Sequence, residues 1–150
     1  GGLLGARAQA HIHISDMTVW RLHGRQKVTL FPPRQWSSLH PFDADGTISW
    51  TFARATPSAA DFEQCPRLNA ALHHRLETEL VPGDVLFVPA CWAQERVDLE
   101  GTEHVLSVNR LWRAPSERVL PHLPDAVSEQ LGVSQANPTL PRLPPKHVNG

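Results

Sequence analysis

Prolines and glycines constrain the fold of this chain more than any other feature of its sequence. Fourteen prolines and nine glycines occur among its 150 residues. Proline fixes φ and removes a backbone donor, so it interrupts helices and central strands, while glycine accommodates tight turns. Such a chain favours many short elements over long helices. Together with several short apolar runs, the pattern predicts a mostly β fold, an antiparallel barrel or jelly roll.

Residues 8–31 show the clearest strand pattern. In the run His11 to Ile14 the two histidines fall on one face and the two isoleucines on the other. A second alternating run follows, in which one face is formed by Met17, Val19 and Arg21. We predict two strands here, joined by a turn at residues 23–25 in which Gly24 takes a positive φ. The second is the return strand at 27–31, which Pro32 ends.

The rest of the chain is predicted from turn signals and short apolar runs. An irregular excursion spans about 34–68. A helical turn at 69–74 and a strand that reaches residue 80 follow, and then a short strand at 85–88 that Pro89 ends. An antiparallel pair is predicted for 96–99 with 104–109, and two short helices for 116–123 and 125–131. From residue 137 the chain is rich in proline and is expected to be extended. We therefore divide it into a barrel at 1–112, with an insertion at about 34–68, and a C-terminal part at 113–150.

Charge and cysteine content exclude several classes of protein. The net charge is −1, so no global field attracts nucleic acid. No run of 18 apolar residues is present, so we expect no membrane span. Two cysteines, Cys65 and Cys91, do not make a disulfide framework, which favours an intracellular protein, in the cytosol, the nucleus or an organelle interior. Cys91 is predicted to be a small buried residue, and Trp20, Trp36, Trp92 and Trp112 are predicted to lie in the core.

Three motifs resemble a known family. They are His11-Ile-His13 with the later run 22–33 ending in Leu-Phe-Pro-Pro, the segment 81–92 (Val-Pro-Gly-Asp-Val-Leu-Phe-Val-Pro-Ala-Cys-Trp), and Ser107 to Trp112. Together they are similar to the JmjC and cupin-like Fe(II)/2-oxoglutarate oxygenases, of the type of the factor inhibiting HIF. The resemblance covers about residues 5–112. It implies a double-stranded β-helix, which is the jelly-roll or cupin barrel.

The resemblance also implies where the metal and the cosubstrate would bind. Such enzymes hold iron with two histidines and a carboxylate. His11 takes the first histidine position, His13 falls where the aspartate belongs, and Gln94 falls where the distal histidine belongs. Positions of the cosubstrate pocket are Gln26, which replaces the oxoglutarate-binding lysine, and Asn109 and Met17. The metal site is therefore expected to be vestigial or weak.

Nearby residues could replace the missing lysine and carboxylate only if their side chains pointed to the other face of the strand. Lys27 neighbours Gln26 but points to the opposite face of its strand. Asp16 and Glu95 could supply a carboxylate only if a bulge turned them inward. Under the older cupin pattern His11 and His13 are both ligands, but Met17 occupies the glutamate position.

These substitutions lead to three functional hypotheses. The first is a catalytically inactive JmjC/cupin-like protein that acts as a structural or protein-interaction module, possibly within a larger complex, with no cofactor. The second is an active Fe(II)/2-oxoglutarate hydroxylase or demethylase with an unusual ligand set of His11, His13 and Gln94. The third is a cupin that binds zinc or nickel through His11 and His13 without oxoglutarate.

Overall fold

The computed structural model describes residues 6–44, 48–99, 101 and 104–130, and these form a mostly β fold. The strands are β1 (Arg7–His11), β2 (Asp16–His23), β3 (Gln26–Phe31), β4 (Leu76–Leu80), β5 (Val85–Val88), β6 (Ala93–Asp98) and β7 (Leu106–Trp112). The α-helices are short: α1 (Leu68–Leu72), α2 (Ser116–Val119) and α3 (Asp125–Gln130). 3₁₀ turns lie at Pro33–Leu39, Ile48–Thr51, Pro57–Ala59 and Leu120–His122.

Two antiparallel sheets make up the jelly roll. One has four strands in the order β1-β6-β3-β4, and the other has three in the order β5-β2-β7. Their inner faces meet in an apolar cluster of Met17, Val19, Val28, Leu30, Leu80 and Val88. Alternate residues of a strand point to the same side, so the register of each pair fixes which further side chains enter this interior.

The excursion after β3 covers the outer face of the four-stranded sheet. Ile12 donates its backbone N–H to Thr51 at 2.8 Å, and Ala53 donates to Ala10 at the same distance. A second, larger cluster forms there, and it includes Ala10, Ile12, Phe31, Leu39, Trp50, Ala53, Leu68, Ala71, Val119 and Leu123. The irregular segment is therefore part of the packed structure rather than a free loop.

Beyond β7, the chain returns to the barrel. Asp16, at the start of β2, accepts hydrogen bonds from Arg118 Nη1 and Nη2 at 3.0 and 2.6 Å and from the backbone N–H of Ala90 at 2.8 Å. Val119 and Leu123 are buried in the larger cluster. No helix among the described residues is long and apolar enough to span a membrane. The proline-rich tail and the end of the second predicted helix, at Leu131, lie outside the described residues.

The outer face of the three-stranded sheet is apolar and exposed. Cross-strand partners share a face, and Trp20 lies opposite Val85 on β5 and Val108 on β7. The exposed apolar face, as we call it, comprises Trp20, Leu22, Val85, Phe87, Val108 and Trp112. The prediction that Trp20 and Trp112 lie in the core is therefore wrong.

Two predictions about the strands are also wrong. Residues 8–31 form three strands instead of two, because β1 ends at His11 and the chain bends before Asp16, which leaves Ile14 51% exposed. Residues 96–99 do not pair with 104–109. Instead, β6 lies between β1 and β3, while β7 pairs with β2 in the other sheet. The turn after β2 is as predicted, and Gly24 has φ 75°.

Candidate functional site

His11 is placed by the pairing of β1 with β6. It lies opposite Gln94 in this ladder, so both residues belong to the inner face of the four-stranded sheet. His13 follows in the bend before β2, where its carbonyl accepts a hydrogen bond from Cys91 at 2.7 Å. The two imidazole rings lie 5.0 Å apart, edge to face. Thus the fold brings together the histidine pair and the amide that the sequence singled out.

The tautomer of His11 is set by its backbone neighbour. Its Nδ1 donates to the carbonyl of Gln9 at 2.7 Å, which leaves the lone pair of the neutral ring on Nε2. Burial lowers the pKa of His11, and the nearby charge of Arg96 lowers it further. Burial, His11 and Arg96 lower the pKa of His13. Both rings are therefore held in an environment that disfavours positive charge.

Gln94 is committed to a neighbouring cation. Its side chain is fully buried, and Oε1 accepts two hydrogen bonds from Arg96, from Nε at 3.0 Å and from Nη2 at 2.7 Å. Arg96 lies two residues further along β6, so it points to the same inner face. Its Nη2 also reaches Met17 Sδ at 3.7 Å, across the interior from the other sheet. Arg96 thus closes the space beside the histidines.

A second polar group lies deeper in the interior. Arg21, on β2, donates through Nη2 to Oε1 of Gln26, and Gln26 Nε2 donates to Asp98 at 2.8 Å. Gln26 therefore sits inside the barrel, but it is engaged by an arginine and an aspartate. The remaining pocket position predicted from the sequence, Asn109 on β7, faces Val19 across the ladder and is exposed.

Residues that might have restored the site point elsewhere. Asp16 is held by Arg118 and the backbone of Ala90. Glu95 lies on the outer face of β6, where it accepts two bonds from Ser58. Lys27 forms an ion pair with Glu77 at 2.9 Å on the same outer side. None of these contacts brings a carboxylate or an ammonium group to the histidines.

The donor set does not fit an iron centre. Within the ranges that the structure describes, no three His, Cys, Asp or Glu side chains lie together in a way that could hold a metal ion. Nδ1 of His11 is bonded to the carbonyl of Gln9, and the oxygen of Gln94 already accepts two N–H groups of Arg96. The amide of Gln26, which the sequence predicts at the oxoglutarate lysine position, is likewise bonded to Arg21. We therefore derive no catalytic step through iron or oxoglutarate.

The sequence did not predict that Arg96 and Arg21 would be bonded to Gln94 and Gln26 in the interior. The alternation of β6 indicates that residue 96 shares the inner face with Gln94, and Arg21 lies on the predicted inner face with Met17 and Val19. An arginine at an inward position of an apolar strand is unusual, because charged side chains are rarely fully buried without a partner. This signal was present in the sequence.

The chain is similar to one family model and to several known proteins. The model of the cupin-like domain matches residues 4–118. HSPB1-associated protein 1 of Rattus norvegicus is 29% identical over 131 residues, which are 87% of this chain and 26% of that protein. Lysine-specific demethylase JMJ31 of Arabidopsis thaliana is 26% identical over 96% of this chain and 26% of its own length. The human tRNA wybutosine-synthesizing protein 5 is 31% identical over 75% of this chain and 33% of its length.

These matches cover most of this chain but a quarter to a third of each relative. The family match takes in every strand of both sheets, the histidine pair and Gln94. The chain therefore belongs to the JmjC/cupin-like family of Fe(II)/2-oxoglutarate oxygenases.

Proposed function

We propose that this chain is a catalytically inactive member of its family that acts as a protein-interaction module. The observation that carries the proposal is the double hydrogen bond from Arg96 to Oε1 of Gln94, beside His11 and His13. A guanidinium thus stands next to the side chains that would otherwise face a metal ion.

Electrostatics support this proposal independently of hydrogen bonding. The charge of Arg96 lowers the pKa of both histidines, which means that it disfavours a proton on either ring. The same repulsion acts on a divalent cation at those nitrogens, and in a buried site it is weakly screened. In addition, no carboxylate of the described residues joins the histidines to offset the charge of the ion. Two neutral imidazoles facing a fixed cation are a poor site for Fe(II).

An anaerobic titration with Fe(II) and 2-oxoglutarate tests the loss of activity. We expect the wild-type protein to show no metal-to-ligand charge-transfer band and to form no succinate. The matched variant is His13→Asp/Gln94→His/Arg96→Leu, which restores the family's ligand pattern and removes the cation. It is expected to bind iron with His11. Stoichiometric iron in the wild type that is lost in His11→Ala would contradict the proposal, as would turnover of 2-oxoglutarate. Zinc or nickel bound in the same His11-dependent way would favour the third sequence hypothesis instead.

The interaction role is supported by the exposed apolar face and by the name of one relative. That relative is described as associated with HSPB1, so purified HSPB1 is the probe for this part of the proposal. Large apolar patches on a folded surface commonly mark protein contacts. We expect binding that Phe87→Ser, on the β5 strand of this face, weakens about tenfold or more. Phe42→Ser, at an exposed phenylalanine of the excursion, is the control and should leave binding unchanged. Absence of binding, or equal loss in both variants, would contradict this role.

A further inference from the structure

Of the four edges of the two described sheets, three are protected against pairing with another strand. β1 is bonded to the excursion, because Ala10 accepts a hydrogen bond from the backbone N–H of Ala53 at 2.8 Å. β4 carries the carboxylates of Glu77 and Glu79, and both are in ion pairs. β5 has only four residues and is followed by Pro89. Natural proteins keep sheet edges from associating by cover, charge and short length of this kind.

The fourth edge, along β7, has no such protection. β7 is seven residues long, contains no proline and pairs with β2 alone. Within the described ranges, no further backbone hydrogen bond joins it to another element. Its charged residue, Arg110, stacks over its own Trp112, with the guanidinium carbon 3.9 Å from the ring centroid. The exposed apolar side chains of this strand are Leu106, Val108, Leu111 and Trp112. A long, apolar, unpaired edge is a template for another strand.

The hydrogen bonds of Arg21 show which backbone groups of β7 are unused. Arg21 donates its backbone N–H to Asp84 and accepts a hydrogen bond from Gly83, both in the turn that leads into β5. Bonded and non-bonded positions alternate along an antiparallel ladder, so odd-numbered residues of β2 bond towards β5 and even-numbered ones towards β7. The ladder partners of the even-numbered residues are Val108, Arg110 and Trp112. The free edge of β7, as we call it, consists of the N–H and C=O groups of Ser107, Asn109 and Leu111.

We propose that a second copy of this chain pairs with the free edge of β7, antiparallel, with Asn109 opposite Asn109 of the second copy. The symmetry of a two-fold dimer then places Ser107 opposite Leu111 of the second copy. Each of these pairs exchanges both of its backbone hydrogen bonds, so the unused groups are satisfied. The two three-stranded sheets become one continuous sheet, and the exposed apolar faces of the two copies become a single surface.

Charge favours this register over its neighbours. With the axis at residue 109, Arg110 lies opposite Val108 of the second copy, and no like charges meet. On the same outer face Leu106 lies opposite Trp112, which is an apolar pair of the kind that stabilises sheets. Moving the axis to Arg110 places the two guanidinium groups directly opposite each other, and this is destabilising. Moving the axis to Val108 shortens the paired stretch. The net charge of −1 on each chain adds no strong repulsion.

Sedimentation velocity of the full chain over a range of concentrations measures the association. We expect a dimer whose share rises with concentration. Val108→Lys places an ammonium group opposite Arg110 of the second copy, and symmetry makes this contact twice, so the dimer should weaken about tenfold. Val108→Glu places a carboxylate there instead and should strengthen the dimer about threefold or more. Val85→Lys is the matched control, at an exposed valine of β5 on the opposite edge, and should leave association unchanged.

The opposite signs of the two Val108 variants distinguish this register from unspecific apolar association. A wild-type chain that stays monomeric at every concentration would overturn the proposal. So would equal weakening by Val108→Lys and Val108→Glu, or a loss in Val85→Lys as large as that in Val108→Lys. Circular dichroism verifies that each variant is folded.

Asn109→Cys tests the register directly. Opposite residues of a hydrogen-bonded antiparallel pair have Cα atoms about 5.5 Å apart, within the range of a disulfide. We expect oxidation to give a covalent dimer on a non-reducing gel, whereas Val85→Cys should remain monomeric. Cys65 and Cys91 are buried and do not compete. No covalent dimer of Asn109→Cys, or as much of it in Val85→Cys, contradicts the pairing. Neither experiment contains iron, oxoglutarate or HSPB1, so their outcome is independent of the proposed function.

Discussion

The bond between Ser58 and Glu95 offers the sharpest test of how the excursion is held on the sheet. Glu95 is 1% exposed, and its two oxygens accept the hydroxyl and the backbone N–H of Ser58, both at 2.9 Å. Ser58→Ala removes the hydroxyl and leaves the backbone bond in place. A hydrogen bond to a charged group is worth about 1.5–3 kcal/mol, so we expect the free energy of unfolding at pH 7 to fall by about that amount.

The pH dependence of this loss follows from the carboxyl group. Burial raises the pKa of Glu95 and the bonds from Ser58 oppose that rise, so the variant raises the folded-state pKa further. For a carboxyl whose pKa is raised by folding, the stability is full at pH below the unfolded-state pKa. It is lost as pH increases through the folded-state pKa, because the unfolded chain gives up its proton first. The destabilisation should therefore shrink to about 0.5–1.5 kcal/mol near pH 4, where the carboxyl is largely protonated.

Urea unfolding at pH 7 and pH 4, followed by tryptophan fluorescence, measures both values. Ser37→Ala, at an exposed serine of the first 3₁₀ turn, is the control and should change stability little at either pH. Equal losses for Ser58→Ala at the two pH values would refute the electrostatic part of the reasoning. A loss no larger than that of the control would refute all of it.

Three further predictions concern single positions. The folded-state pKa of His11 and His13 is lowered, so the free energy of unfolding should fall as pH decreases from about 6.5 towards 5, because the unfolded chain binds more protons there. The double variant His11→Gln/His13→Gln should flatten this pH dependence in urea unfolding, and an unchanged pH dependence would contradict the prediction. Burial raises the pKa of Cys91 to about 11, so iodoacetamide should label it far more slowly in the native protein than in urea, as measured by mass spectrometry. Gly24 has φ 75°, so Gly24→Ala should lower stability by about 1–2 kcal/mol in thermal unfolding, and an unaltered Tm would show that the turn relaxes.

Local elements of this fold were predictable because short-range chemistry determines them. Proline and glycine marked the ends of β3 and β5 and the turn at Gly24, and the structure confirms these features. The mostly β jelly roll, too, is confirmed. What the sequence did not determine is the pairing of distant strands. The run 96–99 was assigned to its nearest neighbour in sequence, whereas β6 pairs with β1 and β3, far earlier in the chain. Alternation specifies which face is buried but not which strand covers it.

The candidate site was predicted in part, for a related reason. The family resemblance predicted ligand positions for His11 and Gln94, and the structure places these two residues opposite each other. It did not reveal that Arg96 would bond to Gln94, because a motif comparison examines the expected ligands and not the residue two positions beyond them. Arg21 was assigned to its face correctly, but its charge was not weighed. The contact between Arg21 and Gln26 joins the two sheets and therefore depends on how they pack, whereas the contact between Arg96 and Gln94 is local to β6.

The ion pair between Asp16 and Arg118 determines where this protein can be truncated. That ion pair joins α2 to the first residue of β2, and Val119 and Leu123 are buried in the larger cluster. Cutting the polypeptide after Trp112 would therefore leave a buried carboxylate without its cation and remove two buried side chains from that cluster. A fragment that stops there should be prone to precipitate. A fragment that continues through α3 retains the Asp16–Arg118 ion pair, so protease digestion of the native chain should not cut between β7 and α3.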